Sequence, residues 1–571
     1  MSQAVAIAPV VPLDPITVEV IGSALSSITE EMGEALVRAS YSTNIKERRD
    51  CSTALFNTAG DTLCQAEHIP MHLGSFIGML PHILKRHPVA DIRPGDVFCG
   101  NDAYEGGGTH LPDIVLAEPI FFAGEIVAWA VNTAHHADFA DRGHAHIFQE
   151  GLRIPPIRLY RAGVLQTDIQ DLILLNCQVP RERLSDLRAQ MAANRLGVER
   201  MVSLCVRYGR DVVLAAGEAL LDYAERKMRA GIAAIPDGTY RFADVYENLE
   251  IPQDLPMSCE ISVASDVMRL HFEAPPQVRA GLNMTYTALL ATVYYAVKAL
   301  VDPTILPNAG LSRSLTVTAP LGTVVNCALP AAVNGRCSTC QRVVDLIFGA
   351  LAPALPDRVI AATNGANTAA LFDGRNADGS PWIYLETVGG GSGARAAKDG
   401  LDGVQVHMTN TSNLPVEALE TEYPLTLLRY ELVDGSGGAG QFRGGMGLRR
   451  VYRADAECRL RVDGSRLRSA PWGLAGGQPG AKAAFDFGGS TPSLGAVTLR
   501  AGQVIELVTA GGGGYGDPVR RDPQATSRDV AEQRAAAPDV KPASGIIAGA
   551  APAARAGTPR SVDPGPAEHA R

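Results

Sequence analysis

Residues 113–136 read Asp-Ile-Val-Leu-Ala-Glu-Pro-Ile-Phe-Phe-Ala-Gly-Glu-Ile-Val-Ala-Trp-Ala-Val-Asn-Thr-Ala-His-His and carry the clearest structural signal in the chain. Two apolar runs, Ile114–Phe122 and Ile126–Asn132, flank the turn sequence Ala123-Gly-Glu125. Apolar runs separated by a short glycine-containing turn are typical of a β-hairpin. The segment therefore predicts two paired antiparallel strands.

The register of this hairpin predicts which polar residues meet at its open end. Facing residues have numbers that sum to a constant, and a turn centred on Gly124 sets that sum near 248. Asp113 is then predicted to face His135. A slip of one residue would bring His136 to that position instead, so both histidines stay open as candidates.

Histidines are concentrated around this hairpin. Nine of the twelve histidines lie between His68 and His146, and the same segment carries many carboxylates. Imidazole nitrogens and carboxylate oxygens are ligands for Zn²⁺, Mn²⁺ or a similar divalent ion. His110 lies just before the first strand, so His110, Asp113 and His135 are predicted to meet at one metal site. The same three residues are the candidate catalytic residues.

Structural roles are the alternative for these and other polar clusters. A lone histidine at a strand end is more often a satisfied polar residue, but convergence of several favours a metal site. Cys337 and Cys340 have metal-like spacing, yet no second pair lies nearby, so we interpret them as packing residues ahead of an apolar helix that begins near Val343. The glycines of 389–393 are interpreted as a tight packing turn rather than a phosphate-binding loop.

Helical and strand-like periodicities alternate along the whole chain. Apolar residues at helical spacing predict an opening helix from about Pro15 to Ser40, and further helical zones are predicted near 180–230, 286–301 and 341–355. The mixed order favours an α+β fold with several lobes. We expect an N-terminal helix with a metal-binding region at 14–235, a central region at 236–415, a glycine-rich β lobe at 416–520 and a disordered tail at 521–571.

Composition excludes several classes of function. The formal net charge of −10 and the absence of a dense basic run disfavour nucleic acid as a partner. The sequence has no run of about 18 apolar residues, so no membrane span is expected, and nothing at its start looks like a signal peptide. Ten scattered cysteines are typical of reduced thiols, which predicts a cytoplasmic location.

Nine motifs along the chain resemble the hydantoinase B/5-oxoprolinase family. The resemblance extends from residue 14 to about 530, and its motifs together are highly specific. They are Asn44–Asp50, His68–Ser75, Asn101–Asp113, His135–Asp138, Gln149–Pro156, Asp186–Arg195, Glu386–Gly393, Glu417–Pro424 and Gly511–Pro518. Two departures, the Cys337/Cys340 pair and the tail after residue 530, weaken any inference about substrate.

The resemblance implies a role within a larger enzyme. Family members include B subunits of ATP-dependent N-methylhydantoinases and caprolactamase, and relatives occur in acetone and acetophenone carboxylases. A partner A subunit binds ATP and phosphorylates the substrate, and the B subunit supplies a metal site within a hetero-oligomer. The implied metal ligands are Asp50, His110, Asp113 and His135, of which Asp50 comes from the resemblance alone.

These observations predict metal-assisted opening of a cyclic amide after ATP-dependent activation by the partner. Glu67 is a further candidate catalytic residue. Glu67 and Asp138 are candidates for supporting the metal ligands or for proton transfer, and the alternative for each is a solvated surface carboxylate. Hydantoins, 5-oxoproline and larger lactams remain open as substrates. The alternatives are a subunit of an ATP-dependent ketone carboxylase and a non-catalytic scaffold for the A subunit.

Overall fold

The computed structural model describes residues 13–66, 68–106, 108–136, 145–493 and 495–534. Helices and strands are mixed along this part of the chain, which confirms the α+β class. The α-helices are α1 Pro15–Ala39, α2 Thr43–Lys46, α3 His72–Arg86, α4 Thr167–Leu175, α5 Pro180–Tyr208, α6 Arg210–Ala233, α7 Tyr286–Val301, α8 Arg336–Leu351, α9 Val416–Glu422 and α10 Pro523–Ala531.

The strands form one seven-stranded sheet and three four-stranded sheets in the described residues. The first sheet has the order β2-β1-β5-β4-β3-β6-β7, and the others have the orders β11-β10-β9-β8, β13-β12-β16-β18 and β14-β15-β19-β17. The strands are β1 Cys51–Phe56, β2 Thr62–Gln65, β3 Val97–Gly100, β4 Asp113–Phe122, β5 Glu125–His135, β6 Ile157–Arg161, β7 Val164–Leu165, β8 Gly238–Tyr246, β9 Leu255–Ala264, β10 Val267–Glu273, β11 Leu315–Thr318, β12 Thr368–Arg375, β13 Pro381–Val388, β14 Leu425–Leu432, β15 Leu448–Ala454, β16 Cys458–Asp463, β17 Ala484–Asp486, β18 Ala496–Leu499 and β19 Val504–Val508.

The predicted hairpin is confirmed, and a bulge fixes its register. The turn consists of Ala123 and Gly124, both with positive φ (51° and 89°), as a two-residue hairpin turn requires. Such a turn alone would make facing residues sum to 247. A bulge after Ile120 restores the sum of 248, and Asp113 faces His135 as predicted.

The hairpin lies in the middle of the seven-stranded sheet, with helices on both faces. Between the bulge and the open end of the hairpin, the odd-numbered residues of β4 and β5, such as Val115 and Trp129, pack against α3. The even-numbered ones there pack against α1, α5 and α6, as Ala130 and Leu116 do. Because side chains alternate between faces, Asp113 and His135 share the face that carries α3.

Helix α1 agrees with its prediction almost residue by residue. Asp14 caps it by accepting a hydrogen bond from the Thr17 N–H, and Pro15 occupies its first turn. The five residues that set its predicted periodicity are all buried, namely Ile21, Leu25, Ile28, Met32 and Leu36. The second helical zone is two helices, because Gly209 (φ 86°) separates α5 from α6.

Helix α8 begins earlier than predicted. It starts at Arg336, so Cys337 and Cys340 lie in its first turns and not ahead of it. All of its residues are buried between the β8–β11 sheet and α7. The polar residues in its first turns are therefore part of the protein interior and not of a surface segment. Cys337 and Cys340 are both free thiols, in keeping with a packing role.

The sheets β13-β12-β16-β18 and β14-β15-β19-β17 share one hydrophobic core, and glycine backbones pack closely near them. A Cβ atom added at Gly391 would meet Gly445 O at 2.1 Å and Gly512 N at 2.3 Å. Backbone segments therefore pack directly on one another here. This arrangement favours the interpretation of 389–393 as a packing turn.

The start of the predicted disordered tail is ordered. Helix α10 lies within it, and its buried Asp529 accepts hydrogen bonds from Arg521 and Arg443. These ion pairs explain why polar composition failed to predict structure here. Residues 535–571 lie outside the described residues, and the divisions predicted after residues 235 and 415 stay predictions. Among the described helices, none combines the length and apolar character that a membrane span requires.

Gly391→Ala is expected to destabilise the fold by about 3 kcal/mol, because the added methyl group has no room and overpacking forces backbone shifts. The control is Gly238→Ala, whose added Cβ would make only ordinary contacts of 3.7 Å or more. That change should cost about 0.5 kcal/mol or less. Urea unfolding measures both, and equal losses would contradict the packing role of Gly391.

Candidate active site

A cavity of about 130 Å³ opens beside the α3 face of the hairpin. One wall consists of polar residues from the first sheet and α3, a second of residues around the start of α8, and a third of residues from β12, β13 and β16. The lining residues are Arg48, Asp50, Ile69, Met71, His72, His110, Pro112, Asp113, His135, Glu250, Asn334, Gly335, Arg336, Cys337, Asn367, Ala369, Leu371, Leu385, Thr387, Thr409, Thr411, Arg461 and Asp463.

His110, Asp113 and His135 converge on the first wall. Their ligand atoms lie within 4.8 Å of one another, and His110 Nε2 lies 2.9 Å from Asp113 Oδ1. The His110 and His135 rings are 4.9 Å apart between centroids. Ligands held about 2.1 Å from one tetrahedral ion are separated by about 3.4 Å, and the observed spacings bracket that value.

The hydrogen bonds of His110 provide a test of whether a cation suits this group. His110 Nδ1 lies 3.1 Å from the Asn334 carbonyl oxygen, which only accepts, so Nδ1 carries a proton. A neutral ring then directs the Nε2 lone pair at the Asp113 oxygen. Two electron-pair donors this close require a cation between them, either a proton or a metal ion. A carbonyl partner on the other ring nitrogen is the usual support of a metal-bound histidine.

Asp113 is fully buried, and its carboxyl group lies against Arg336, His110 and His72. Arg336 donates a 2.8 Å hydrogen bond from Nη2 to Asp113 Oδ2 and a second from Nε to Thr109 Oγ1. Burial alone would raise the pKa of Asp113, but nearby His110, Arg336 and His72 outweigh it and hold that pKa well below its usual value. Asp113 is therefore an anion at neutral pH.

His135 is held as a neutral ring. Burial lowers its pKa well below the usual value, and the adjacent His110 lowers it further. The Asn44 side chain fixes the ring, with 2.8 Å between Asn44 Nδ2 and His135 Nδ1. Arg48 in turn donates to Asn44 Oδ1. A neutral imidazole is the form that binds a metal ion.

Asp50 and His72 extend the group along the cavity wall. His72 Nε2 lies 3.6 Å from Asp50 Oδ1 and 3.7 Å from Asp113 Oδ1. Burial is the largest influence on His72 and lowers its pKa. The backbone of Asp50 accepts a hydrogen bond from the His135 N–H, which joins the start of β1 to the end of β5.

The sequence matches one protein family over most of its length. The family model of hydantoinase B/oxoprolinase matches residues 14–518. The chain belongs to the hydantoinase B/oxoprolinase family. It is 40% identical to an uncharacterized protein of Methanocaldococcus jannaschii, covering 91% of this chain and 94% of that one. It is 32% identical to caprolactamase subunit beta of Pseudomonas jessenii, covering 91% and 93% respectively.

Solved structures agree with this family assignment. The crystal structure of the ATP-dependent caprolactamase from Pseudomonas jessenii matches with a TM-score of 0.84 at 30% identity, covering 91% of this chain and 94% of that chain. An acetone carboxylase structure matches with a TM-score of 0.80 at 20% identity, covering 91% and 78%. The second likeness shows a shared fold only.

Most of the predicted site residues of this hydantoinase B/oxoprolinase family member lie together. His110, Asp113, His135 and Asp50 all line the cavity. The open choice between the two adjacent histidines resolves geometrically: His136 lies on the opposite face of the sheet, with Nε2 3.0 Å from Gln190 Oε1 on α5. Glu67 and Asp138 lie outside the described residues.

Sequence reasoning missed His72, Asn334 and Arg336. His72 lies at the start of α3, and its place in the family motif His68–Ser75 was the available sequence signal. Asn334 and Arg336 are more than 220 residues away from His110 and Asp113 in sequence. No local pattern could have joined them to the hairpin.

Arg336→Gln is expected to destabilise the fold by about 3 kcal/mol, because it leaves the buried Asp113 carboxylate without its guanidinium partner. The control is Arg459→Gln, which breaks a partly exposed pair with Asp373 and should cost at most about 1 kcal/mol. Since the pKa of Asp113 is lowered, its stabilising effect is present at neutral pH and is lost as the pH falls through that value. Urea unfolding at neutral pH is the measurement, and equal costs for the two variants would contradict this account.

Proposed function

We propose that this chain is the metal-binding B subunit of an ATP-dependent cyclic amide hydrolase of the hydantoinase, oxoprolinase or lactamase type. The observation that carries the proposal is the convergence of the buried His110 and Asp113 with the partly buried His135 on the wall of a cavity. Its family and its likeness to a caprolactamase beta subunit support the substrate class. The specific cyclic amide stays open.

An A-type partner subunit would supply the activated substrate. Amide resonance makes a lactam carbonyl a poor electrophile, and transfer of a phosphoryl group to its oxygen removes that resonance. The sequence of this chain has no G-x-x-x-x-G-K-[ST] motif, which agrees with ATP being bound and used by the partner. The proposed assembly is therefore a hetero-oligomer.

His110, Asp113 and His135 would hold the divalent ion, with Asp50 beside them. A bound divalent ion would polarise the activated carbonyl and lower the pKa of nearby water. Asn334 accepts a hydrogen bond from His110 Nδ1 and so leaves the Nε2 lone pair free, and Arg336 keeps Asp113 ionised. Asn44 contacts the His135 ring at Nδ1. His110 and Asp113 are thus prepared as ligands before any ion enters.

Three guanidinium groups suit an anionic, phosphorylated substrate. Arg48, Arg336 and Arg461 all line the cavity, and each is paired with an acidic residue. Guanidinium groups are well matched to phosphate oxygens. Their charge offsets that of the carboxylates in the cavity and so reduces the repulsion of a substrate that the partner has phosphorylated. A cytoplasmic location, without nucleic acid or membrane as partner, stays a prediction from the sequence.

Purified chain is expected to carry about one divalent ion, and His110→Ala should lose it. With the A-type partner and ATP, the same variant should open hydantoin, 5-oxoproline or ε-caprolactam at least about 100-fold more slowly than wild type, because loss of a ligand exceeds the effect of losing a supporting residue. Elemental analysis and product assay measure the two quantities. The matched control is His87→Ala, whose ring hydrogen-bonds to the Pro156 carbonyl and lies against Phe98, and which does not line the cavity.

Other outcomes would identify the rivals. Consumption of a ketone that depends on bicarbonate would identify a carboxylase subunit, whose fold this chain shares. Full ring opening by Asp113→Ala, with no stoichiometric metal in wild type, would identify a scaffold. Retention of both metal and ring opening by His110→Ala would contradict the proposed site.

A further inference from the structure

The wall of the cavity formed by β16 carries a carboxyl group that the proposed chemistry has not used. Asp463 ends β16 and lines the cavity. Asn248 donates a 2.6 Å hydrogen bond to its Oδ1, and Ser338 donates a 3.0 Å hydrogen bond to its Oδ2. No arginine or lysine donates to it among the hydrogen bonds of the described residues.

Asp463 is joined to the metal-ligand group by three consecutive residues. Asn334 contacts His110, Arg336 contacts Asp113, and Gly335 lies between them against Asp463. A Cβ atom added at Gly335 would lie 3.1 Å from Asp463 Oδ2. The start of α8 therefore separates the two groups by the thickness of one backbone segment, and both face the same cavity.

The surroundings of Asp463 favour its protonated form. Removal from water is the largest cause and nearby Glu250 the second, and together they raise the pKa of Asp463 to about 7. Arg461 opposes this but is paired with Glu250 at 2.8 Å. The other titratable groups facing it are Tyr246 and Cys337, whose own pKa values are raised, so both are uncharged.

Ring opening of an O-phosphorylated amide requires a proton at nitrogen. Addition of water to the activated carbon gives a tetrahedral carbon that bears the new hydroxyl, the phosphate oxygen and the ring nitrogen. Phosphate is a good leaving group, and its departure regenerates the cyclic amide and wastes ATP. The nitrogen leaves only if it is protonated, because an amide anion is too basic to depart.

We propose that Asp463 is the catalytic residue that donates this proton, and that it thereby couples ATP use to ring opening. The inference rests on the proposed function. The Asp463 proton moves to the ring nitrogen, and the electron pair of the carbon–nitrogen bond moves to nitrogen. The new hydroxyl group loses its proton to solvent as its oxygen becomes the carbonyl oxygen. The products are the free amine and an acyl phosphate, which a second water hydrolyses to carboxylate and phosphate. Solvent returns a proton to Asp463.

Asp463→Asn is expected to uncouple the two reactions, because asparagine keeps the shape but donates no proton. The complex of this chain with its A-type partner is assayed in ¹⁸O-water, with ATP and whichever of hydantoin, 5-oxoproline or ε-caprolactam the wild-type complex opens. Ring opening should fall at least about 100-fold. Phosphate release should stay near the wild-type rate, and the recovered cyclic amide should carry ¹⁸O. Asp373→Asn, a partly exposed carboxylate on β12 paired with Arg459, is the matched control and should behave as wild type.

The outcomes separate this inference from the proposed function. A wild-type complex that opens none of the three amides overturns the proposed function and the inference with it. If wild type opens one of them, a variant in which ring opening and phosphate release fall together, without ¹⁸O in the recovered amide, overturns the role of Asp463 alone. Ring opening at the wild-type rate by Asp463→Asn overturns it as well.

A second variant tests the inference if Asp463→Asn fails to fold. Ser338→Ala removes a hydrogen bond that lowers the pKa of Asp463, so the carboxyl should keep its proton to higher pH. A donor is active below its pKa, so the ratio of ring opening to phosphate release should decline with rising pH. The midpoint of that decline should move upward in Ser338→Ala, and an unchanged or lower midpoint overturns the proposal.

Discussion

The negative charge of Asp113, buried without exposure to solvent, is the constraint on which the site depends. Burying a carboxylate is costly unless positive partners and hydrogen bonds surround it. Here His110 comes from the loop before β4, His72 from the start of α3 and Arg336 from the start of α8. Satisfying one charge therefore brings the starts of α3 and α8 to the beginning of β4, where the cavity lies.

The sequence predicted the hairpin and most of its consequences because the signal was local. Both faces of β4 and β5 are buried, so these strands need continuous apolar runs. The two runs and the Ala123–Gly124 turn between them fixed Asp113 opposite His135. Alternation of side chains also explains why His136 belongs to the α5 face. The predicted sum of 248 for the numbers of facing residues was correct, although the prediction assumed a turn centred on Gly124 and no bulge. The actual turn is one residue shorter, and the bulge adds one residue back.

The remainder could not be predicted because it depends on contacts between remote segments. Arg336 and Asp463 are polar residues whose neighbours in sequence give no hint of a shared cavity. The early start of α8 was missed because buried ion pairs, and not apolar periodicity, hold its first turn. Helix α10 was missed for a similar reason, since Asp529, Arg443 and Arg521 stabilise it through charge.

The bulge after Ile120 has an evolutionary consequence. Side chains alternate between sheet faces, so a single-residue insertion or deletion in either strand on the site side of the bulge would turn Asp113 or His135 away from the cavity, unless another bulge absorbs it. The turn itself can change in length without this effect. Relatives that keep the site should therefore conserve the number of residues between the site and the bulge, or alter it by two, while the turn varies.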